Sequence, residues 1–192
     1  MPDARDLPLF RWGEELRRFR LSRRAHRLRT FGAIGGTLMV VLLLASLIWP
    51  PRPLLLWNAS PSSPIGLYGV SAADELKPGM RVVAWPPPRA RQLADERRYL
   101  PAGVPLVKRV AAVAGERVCA IGEAIFVNGR LEARRAGLDG AGRPLPWWTG
   151  CIVLENGQVF LLSASASSFD GRYFGATRRS EVVGQAWLLW AS

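Results

Sequence analysis

The stretch Asn58-Ala59-Ser60-Pro61-Ser62-Ser63-Pro64-Ile65-Gly66-Leu67-Tyr68 sets three serines among two prolines and a glycine. Each proline fixes its own φ and disfavours helix in the residue before it, so we predict stiff, extended backbone around the serines. Gly66 permits a turn or the close approach of another backbone. Such a loop can hold an exposed nucleophilic hydroxyl, but the same composition is also typical of a linker. The remainder of the chain decides between these two interpretations.

An apolar segment ends nine residues before this stretch. Residues 31–49 carry no charge, and about 20 apolar residues are enough to cross a bilayer. The arginines that directly precede the segment are Arg23, Arg24, Arg27 and Arg29. By the positive-inside rule, they keep this end of the segment in the cytoplasm. We therefore predict a basic cytoplasmic tail over 1–30, a transmembrane helix over 31–49 and an extracytoplasmic domain over 50–192.

Two features of the N-terminal region leave alternatives open. A cleaved signal peptide also has an apolar core, but prolines follow this segment directly and no small-x-small cleavage site is evident, which favours an uncleaved anchor. The tail carries nine Arg against four acidic residues. Its apolar side chains fit one side of a helix on an anionic membrane surface, or the tail is a disordered segment that only sets topology. The apolar side chains are Leu9, Phe10, Trp12, Leu16 and Phe19.

The formal net charge of +11 raises the question of nucleic-acid binding. The basic residues are spread along the chain and lack the basic-aromatic periodicity of a nucleic-acid groove. We therefore predict that the chain does not bind nucleic acid directly. We expect it to contact membrane lipid.

The region after Ser60 has the pattern of a mostly β domain. Short runs rich in β-branched or aromatic residues are bounded by Gly, Pro or Asn. These predicted strands are 81–85, 107–113, 117–121, 124–127, 159–162 and 182–189. Asn128-Gly129 predicts a hairpin turn, and 88–99 is the one predicted helix of the domain. Residues 134–150 form a Gly/Pro-rich excursion.

Histidine is nearly absent from the chain, and this restricts its chemistry. The single histidine, His26, precedes the apolar segment, so a Ser-His-Asp site or a histidine-based zinc site in the main domain would need a second chain. We predict no metal and no cofactor. Lysine is then the remaining good base for a serine nucleophile. Only Lys77 and Lys108 are lysines, and Lys108 lies in a mostly apolar run.

Burial of Lys108 would lower its pKa from about 10.4 and allow the amine to lose its proton near neutral pH. The alternative is a structural strand lysine whose amine reaches solvent. The two cysteines, Cys119 and Cys151, would meet an oxidising compartment in an exported domain, so we predict a disulfide between them. Two buried free thiols are the alternative.

Two motifs give the chain a specific resemblance. The segment 108–118, Lys-Arg-Val-Ala-Ala-Val-Ala-Gly-Glu-Arg-Val, is similar to the Lys-Arg-Val, Pro-Gly-Asp-x-Val box of the signal peptidase I superfamily. Ala114 and Glu116 replace the usual Pro and Asp, and neither change touches the lysine. Residues 167–175, Ser-Ser-Phe-Asp-Gly-Arg-Tyr-Phe-Gly, resemble the Asn-Ser-x-Asp-Ser-Arg-Tyr-x-Gly box of that superfamily.

Further segments resemble the TraF-like branch, the peptidases of conjugative plasmid transfer. They are the Phe-Asp-Gly-Arg-Tyr-Phe-Gly form of the second box, the opening 58–68 pattern, Arg98-Tyr99-Leu100-Pro101-Ala102-Gly103, and Ala141-Gly142-Arg143-Pro144-Leu145-Pro146. The matches span 58–190 in the expected order. The resemblance implies a mostly β signal-peptidase catalytic domain on a single N-terminal transmembrane helix.

The resemblance also implies a role for each matching residue. Ser62 matches the nucleophile, Ser63 and Ser60 are competitors, and a shift of the match by one residue is possible. Ser60 matches the side chain that joins the backbone N–H of the nucleophile in the oxyanion hole. Lys108 matches the general base. The supporting positions are Ser168, which matches the hydroxyl that orients the lysine, and Asp170 and Arg172, which match an ion pair of that loop.

The implied function is removal of a signal or leader segment from an exported preprotein. In the TraF-like branch the substrate would be a propilin or another component of a conjugative type IV secretion system. The transfer machinery would then be a partner, and the chain would sit in a bacterial inner membrane with its catalytic domain in the periplasm. The alternatives are a housekeeping signal peptidase I for general preproteins and a catalytically silent scaffold of the transfer machinery.

Overall fold

The computed structural model describes residues 28–46 and 54–191 and divides the chain into two units, Met1–Pro51 and Arg52–Ser192. In the first unit, helix α1 covers Leu28–Ser46, and its 19 residues are long and apolar enough to span a membrane. Within the described residues, the helix already includes the three residues before the predicted start, 28–30. The predicted end at Trp49 and the predicted helix side at positions 9–19 lie outside the described residues.

The second unit consists mainly of strands, which confirms the predicted mostly β class. The strands are β1 Leu55–Asn58, β2 Gly66–Ser71, β3 Arg81–Ala84, β4 Leu106–Val113, β5 Arg117–Ile121, β6 Ala124–Val127, β7 Arg130–Arg134, β8 Gly150–Val153, β9 Gln158–Leu162, β10 Thr177–Arg178 and β11 Val182–Ala191. The helices are α2 Pro88–Glu96 and α3 Gly171–Phe174, and a 3₁₀ turn covers Arg179–Glu181.

The strands form two antiparallel sheets. The larger sheet has the order β1-β2-β11-β3-β4-β9-β10, and the smaller has the order β7-β6-β5-β8. The last described strand, β11, therefore lies in the interior of the larger sheet, between β2 and β3. One buried cluster packs β4 and β9 against β5 and β6, and Phe160 and Ile125 are its largest members. A second cluster includes Tyr68 of β2 and Val107 of β4, so the larger sheet curls until these non-adjacent strands meet.

The predicted strands are confirmed with small shifts at their ends, but the sequence pattern missed β1, β2, β7, β8 and β10. Strand β2 contains Gly66 and Gly69, and glycine is depleted in strands because it has no side chain to pack. In this strand, the absence of a side chain is required at both positions. A Cβ on Gly66 would collide with the carbonyl oxygen of Trp190, and one on Gly69 would lie 2.7 Å from the indole nitrogen of Trp187. The predicted close backbone approach at Gly66 is therefore present.

The predicted helix over 88–99 forms but ends at Glu96. Its start fits the sequence, since Pro88 occupies the first turn, where the missing N–H costs nothing. At the other end, Arg98 takes a left-handed conformation with φ of 59°. The next N–H, from Tyr99, then bonds the carbonyl of Ala94 and reverses the chain.

Two local predictions for the smaller sheet hold. Asn128 and Gly129 both have positive φ and connect β6 to β7 in a tight hairpin. Cys119 of β5 and Cys151 of β8 lie opposite each other and form a disulfide, as predicted. In the chain-entropy model, closing a loop of this size contributes roughly 3–4 kcal/mol.

Candidate active site

The serine-rich stretch forms the loop between β1 and β2, and one buried side chain shapes it. The amide nitrogen of Asn58 donates to the carbonyl oxygens of Ser60, Ser63 and Pro64, at 2.9, 3.1 and 3.0 Å. Its amide oxygen accepts from the N–H of Ser60 at 3.2 Å. An asparagine commonly replaces backbone hydrogen bonds in this way where the chain turns. The side chain of Asn58 therefore supplies hydrogen bonds that hold the backbone of the loop in its shape.

Ser62 and Ser60 meet at the open side of this loop. Their two Oγ atoms are 3.0 Å apart, and the N–H of Ser62 points to the Ser60 Oγ at 3.4 Å. That backbone contact is longer than the usual 2.9–3.0 Å, so the N–H is weakly engaged. The N–H of Ser62 and the hydroxyl of Ser60 are thus adjacent donors, and each of them points to the other serine's Oγ.

Lys108 lies in β4, between β3 and β9, and its side chain is only 1% exposed. The Nζ atom is 2.9 Å from the Oγ of Ser62 and 2.7 Å from the Oγ of Ser168. Burial lowers the pKa of Lys108 to about 8, against an opposing effect of the Asp170 charge, and the Arg172 charge lowers it further. An appreciable fraction of this amine is therefore neutral near physiological pH.

The supporting residues Ser168, Asp170 and Arg172 lie between the end of β9 and the first turn of α3, and all three are buried. The guanidinium of Arg172 contacts both carboxylate oxygens of Asp170, with Nε at 2.8 Å and Nη2 at 3.1 Å. The same carboxylate caps α3 by accepting from the N–H of Arg172, and it also accepts from the N–H of Ser163. Arg172 further donates to the carbonyl oxygens of Ser163, Ala166 and Arg134. This network fixes the loop that carries Ser168.

The structure thus brings together all six residues that the sequence singled out, although the two serines that competed as nucleophiles occupy different positions. Ser63 does not face Lys108. Its hydroxyl donates instead to the carbonyl oxygen of Val107, at 2.9 Å. Ser60 contacts Ser62 but has no hydrogen bond to Lys108 among the described contacts. Of the three serines in the loop, Ser62 is therefore the one that meets the amine.

The site opens into a cleft of about 720 Å³ whose walls are mainly apolar. Side chains that line it include Leu56, Pro86, Leu106, Leu138, Phe169 and Tyr173. Within the part of the chain that the structure describes, no three metal-ligating side chains of His, Cys, Asp or Glu form a cluster, so no residue is assigned to a metal.

Sequence reasoning missed a polar cluster at one wall of the cleft. The hydroxyl of Tyr99 donates to the carboxylate of Asp139, and Arg143 Nε contacts the same carboxylate at 2.7 Å. The hydrogen bond from Tyr99 is the main reason why the pKa of Asp139 lies well below its usual range. The Tyr99 ring also packs on Phe169, next to Ser168. Only the Tyr-Leu-Pro and Gly-Arg-Pro segments pointed to this region, and they gave no hint of the pairing.

Comparison with known proteins assigns the family. The protein family described as "signal peptidase, peptidase S26" matches residues 27–191, which is most of the chain.

The chain belongs to the signal peptidase family, peptidase S26.

Similar proteins fall in one group by name. A plasmid transfer protein TraF of Escherichia coli is 39% identical over 140 residues, covering 65% of this chain and 76% of the relative. A second Escherichia coli protein of that name is 34% identical over 172 residues, covering 83% and 94%. A probable conjugal transfer protein TraF of Sinorhizobium fredii is 36% identical over 139 residues, covering 67% and 73%. The resemblance inferred from the two motifs is therefore confirmed for the signal peptidase family and for relatives named TraF.

A crystal structure of a signal peptidase I from Enterococcus faecalis covers 60% of this chain and 98% of its own. The two share 18% sequence identity, with a TM-score of 0.36.

Proposed function

We propose that this chain is a membrane-anchored serine endopeptidase that uses Ser62 and Lys108 to remove a signal or leader segment from an exported protein. The observation that carries the proposal is the 2.9 Å contact between Lys108 Nζ and Ser62 Oγ, at a lysine whose pKa is lowered to about 8. A neutral amine at this distance is within reach of the hydroxyl proton. Membership in the signal peptidase family supports the same reaction.

Acylation follows from this geometry. The neutral amine of Lys108 takes the proton of Ser62, and Oγ attacks the carbonyl carbon of the scissile peptide bond. The negative charge that develops on the carbonyl oxygen is met by the N–H of Ser62 and by the hydroxyl of Ser60, once that hydroxyl turns from Ser62 toward the substrate. Each such donor typically contributes about 3–4 kcal/mol to the transition state. The ammonium of Lys108 then protonates the leaving amine as the C–N bond breaks.

Deacylation reverses the roles of the same groups. Lys108, neutral again, takes a proton from a water molecule, whose oxygen attacks the ester carbonyl. As the C–Oγ bond breaks, the ammonium of Lys108 returns the proton to Oγ of Ser62, which releases the acid product and restores the neutral amine. Ser168 holds the amine at 2.7 Å throughout, and the buried pair of Asp170 and Arg172 holds the loop of Ser168. These three are positioning residues in this proposal, since none of them needs to touch the substrate.

The names of the relatives guide the choice of substrate. Proteins named plasmid transfer protein or conjugal transfer protein TraF align with most of this domain. We therefore propose a propilin, or another exported component of a conjugative type IV secretion system, as the substrate, with the transfer machinery as a partner. The mainly apolar cleft is compatible with an extended leader segment.

The dyad is tested by cleavage of a membrane-tethered propilin from the same transfer locus, measured by mass spectrometry together with thermal unfolding. Ser62→Ala and Lys108→Arg should each lose at least ~10⁴-fold in rate, and the double variant should be little worse, because the two residues act as a unit. Lys77→Arg is the matched control, since the Lys77 side chain is exposed and its amine pairs with the exposed carboxylate of Glu75. Near-normal cleavage by a folded Lys108→Arg variant would end the proposal.

Other outcomes of the same experiment distinguish the alternative functions. Cleavage of unrelated secreted preproteins, with the propilin left intact, would identify a housekeeping signal peptidase. If the folded wild-type protein cleaves neither class of substrate, the chain is a silent scaffold. Activity retained in Ser62→Ala but lost in Ser63→Ala would keep the chemistry and change the nucleophile.

We also propose that the chain crosses a bacterial inner membrane once, with residues 50–192 in the periplasm. The apolar helix α1, the arginines before it and the Cys119–Cys151 disulfide, which suits an oxidising compartment, support this topology. The exposed indole of Trp57 is compatible with contact to lipid headgroups. An alkaline phosphatase fusion after Ser192 should be active, and activity of a cytoplasmic reporter at that position would contradict the topology.

A further inference from the structure

The nucleophile loop and the strand of the base are not neighbours in the sheet. The loop leads into β2, and two strands, β11 and β3, lie between β2 and β4. At a spacing of about 4.8 Å per strand, a flat sheet would separate β2 from β4 by about 14 Å. The curl of the sheet brings them together, but a curl alone leaves the separation of two side-chain atoms free to vary. The packing of Tyr68 against Val107 limits this variation, and a direct hydrogen bond between the loop and β4 would limit it further, including the 2.9 Å between Ser62 Oγ and Lys108 Nζ.

The loop itself is internally stiff. Asn58 binds three of its carbonyl oxygens, and the buried hydroxyl of Tyr68 donates to the carbonyl oxygen of Pro64 at 2.9 Å. Pro61 and Pro64 restrict the backbone further. Because the loop is braced in this way and held at both ends by the paired strands β1 and β2, a contact with β4 restricts the movement of the loop as a whole.

Ser63 supplies such an anchor. Its hydroxyl donates to the carbonyl oxygen of Val107, one residue before Lys108 and 44 residues away along the chain. Among the described residues, only one other hydrogen bond joins loop residues 59–65 to β4, and that is the Lys108–Ser62 contact itself. The Lys108–Ser62 hydrogen bond is lost in the proposed reaction when Ser62 becomes acylated. The Ser63–Val107 bond is then the one that persists.

We propose that Ser63 is a positioning residue whose hydroxyl, bonded to the Val107 carbonyl, sets the separation of Ser62 Oγ and Lys108 Nζ and maintains it in the acyl-enzyme. This inference rests on the proposed Ser62–Lys108 dyad. It assigns a structural purpose to a serine that the sequence offered only as a competing nucleophile. Displacing a reacting group by about 1 Å can cost about 100-fold in rate, so even a partial loosening of the loop should be measurable.

The test uses the full-length protein in detergent micelles and a fluorescent penem, whose strained lactam carbonyl acylates reactive serines. The rate of labelling is measured from pH 6 to pH 10 for wild type, Ser63→Ala and Ser63→Thr. Ser71→Ala is the matched control, because the Ser71 hydroxyl also donates to a backbone carbonyl but lies on β2, facing Ala72. Thermal unfolding of each variant shows the fraction that is folded.

For folded Ser63→Ala we expect a roughly 10-fold lower plateau rate, with the midpoint of the pH profile unchanged near 8, since the burial of Lys108 is intact. Ser63→Thr keeps the hydroxyl and should recover most of the rate, and Ser71→Ala should match wild type. A merely structural role would change the unfolding temperature without changing the labelling rate per folded molecule, and that result would overturn the inference. A midpoint that moves toward 10.5 would also overturn it, because water would then have reached the lysine.

The labelling of two further variants separates this inference from the function beneath it. Ser62→Ala must be unlabelled and Lys108→Met strongly slowed if the dyad exists. If both are labelled normally, the proposed function fails, and the inference fails with it. If both behave as expected and Ser63→Ala also labels within twofold of wild type, only the inference fails. Abolished labelling in Ser63→Ala with normal labelling in Ser62→Ala would make Ser63 the nucleophile.

Discussion

Ser62 and Lys108 are held by opposite means. Ser62 is half-exposed at the tip of a loop whose shape comes from side-chain hydrogen bonds, chiefly those of Asn58. Lys108 is 1% exposed in an interior strand, and buried hydrophobic residues and a buried ion pair surround it. In the proposed mechanism, the side that carries the nucleophile Ser62 must admit a peptide, whereas the side that carries the base Lys108 must exclude water to lower the pKa of an amine. We therefore expect substitutions in the serine loop to lower the rate, whereas substitutions around Lys108 should change the stability of the fold and the pH dependence of the rate.

The largest expected effect is on the base side. Asp170→Asn removes the charge that compensates Arg172, and both side chains are 2% exposed or less. An uncompensated buried charge typically costs about 3–5 kcal/mol, so the unfolding free energy measured in urea should fall by that amount. Asp74→Asn, at an exposed acid, is the control and should be neutral.

The same variant also tests the electrostatic side of the comparison. The Asp170 charge raises the pKa of Lys108, so in whatever fraction stays folded the midpoint of the pH–rate profile should move below about 8. An unchanged midpoint in a stable Asp170→Asn protein would show that the ion pair does not act on the lysine at all.

A smaller effect is expected on the nucleophile side. Asn58→Asp keeps the shape of the side chain but directs a carboxylate at three carbonyl oxygens, whereas Asn58→Ala only removes the donors. Losses of about 1–3 kcal/mol are typical for unsatisfied groups, which corresponds to roughly 10–100-fold in rate, and the Asp variant should be the worse. The measurement is kcat for propilin cleavage across pH.

The position of the midpoint is decisive for the Asn58 variants. If the two sides are independent, the midpoint should stay near 8 while the rate falls. A shift of the midpoint comparable to that of Asp170→Asn would mean that the loop, as well as the strand, keeps water from Lys108.

The smallest effect concerns pH in the wild-type protein. With a pKa of about 8 for Lys108, only about a tenth of the amine is neutral at pH 7, so the cleavage rate should rise about 10-fold to a plateau above pH 8. A rate that is already maximal at pH 6 would contradict this.

The stability of the wild-type protein should follow the same group. The folded pKa lies below the unfolded one, so the unfolded state binds more protons between about pH 8 and 10.5. Stability should therefore rise with pH in that window by up to ~1.4 kcal/mol per pH unit. The difference between wild type and Lys108→Met in urea unfolding isolates this group, and no slope in that difference would contradict a buried, neutral lysine.

The base side could be predicted largely from local sequence. An apolar run around Lys108 predicts a buried strand, and a domain without histidine leaves lysine as the available base. The strands with β-branched runs, the Asn128-Gly129 hairpin and the cysteine pair were also readable, because each depends on residues close in sequence or on the compartment. Strands β1, β2 and β8 were missed, since glycine and exposed positions hide their pairing from a propensity argument.

The nucleophile side was predicted in composition but not in geometry. Three serines between prolines predict a stiff loop, and the motif resemblance singled out Ser62 as the partner of Lys108, but composition alone does not separate Ser62 from Ser60 and Ser63, and the bond from Ser63 to Val107 was not predicted. That choice depends on contacts 44 and 46 residues apart along the chain. The Tyr99–Asp139 bond, 40 residues apart, was invisible for the same reason. Local patterns specify elements, whereas the curl of the sheet decides which side chains meet.

The position of β11 in the larger sheet determines when the site can assemble during folding. This strand is the last described one to leave the ribosome, and it is the only link in the larger sheet between the half that carries the serine loop and the half that carries the lysine. Until Val182–Ala191 inserts, β2 and β3 have no common neighbour. Bringing the two halves of the sheet together then carries the entropy cost of closing a long loop. A chain that lacks Val182–Ala191 would therefore contain both Ser62 and Lys108 without the strand that joins their two halves of the larger sheet.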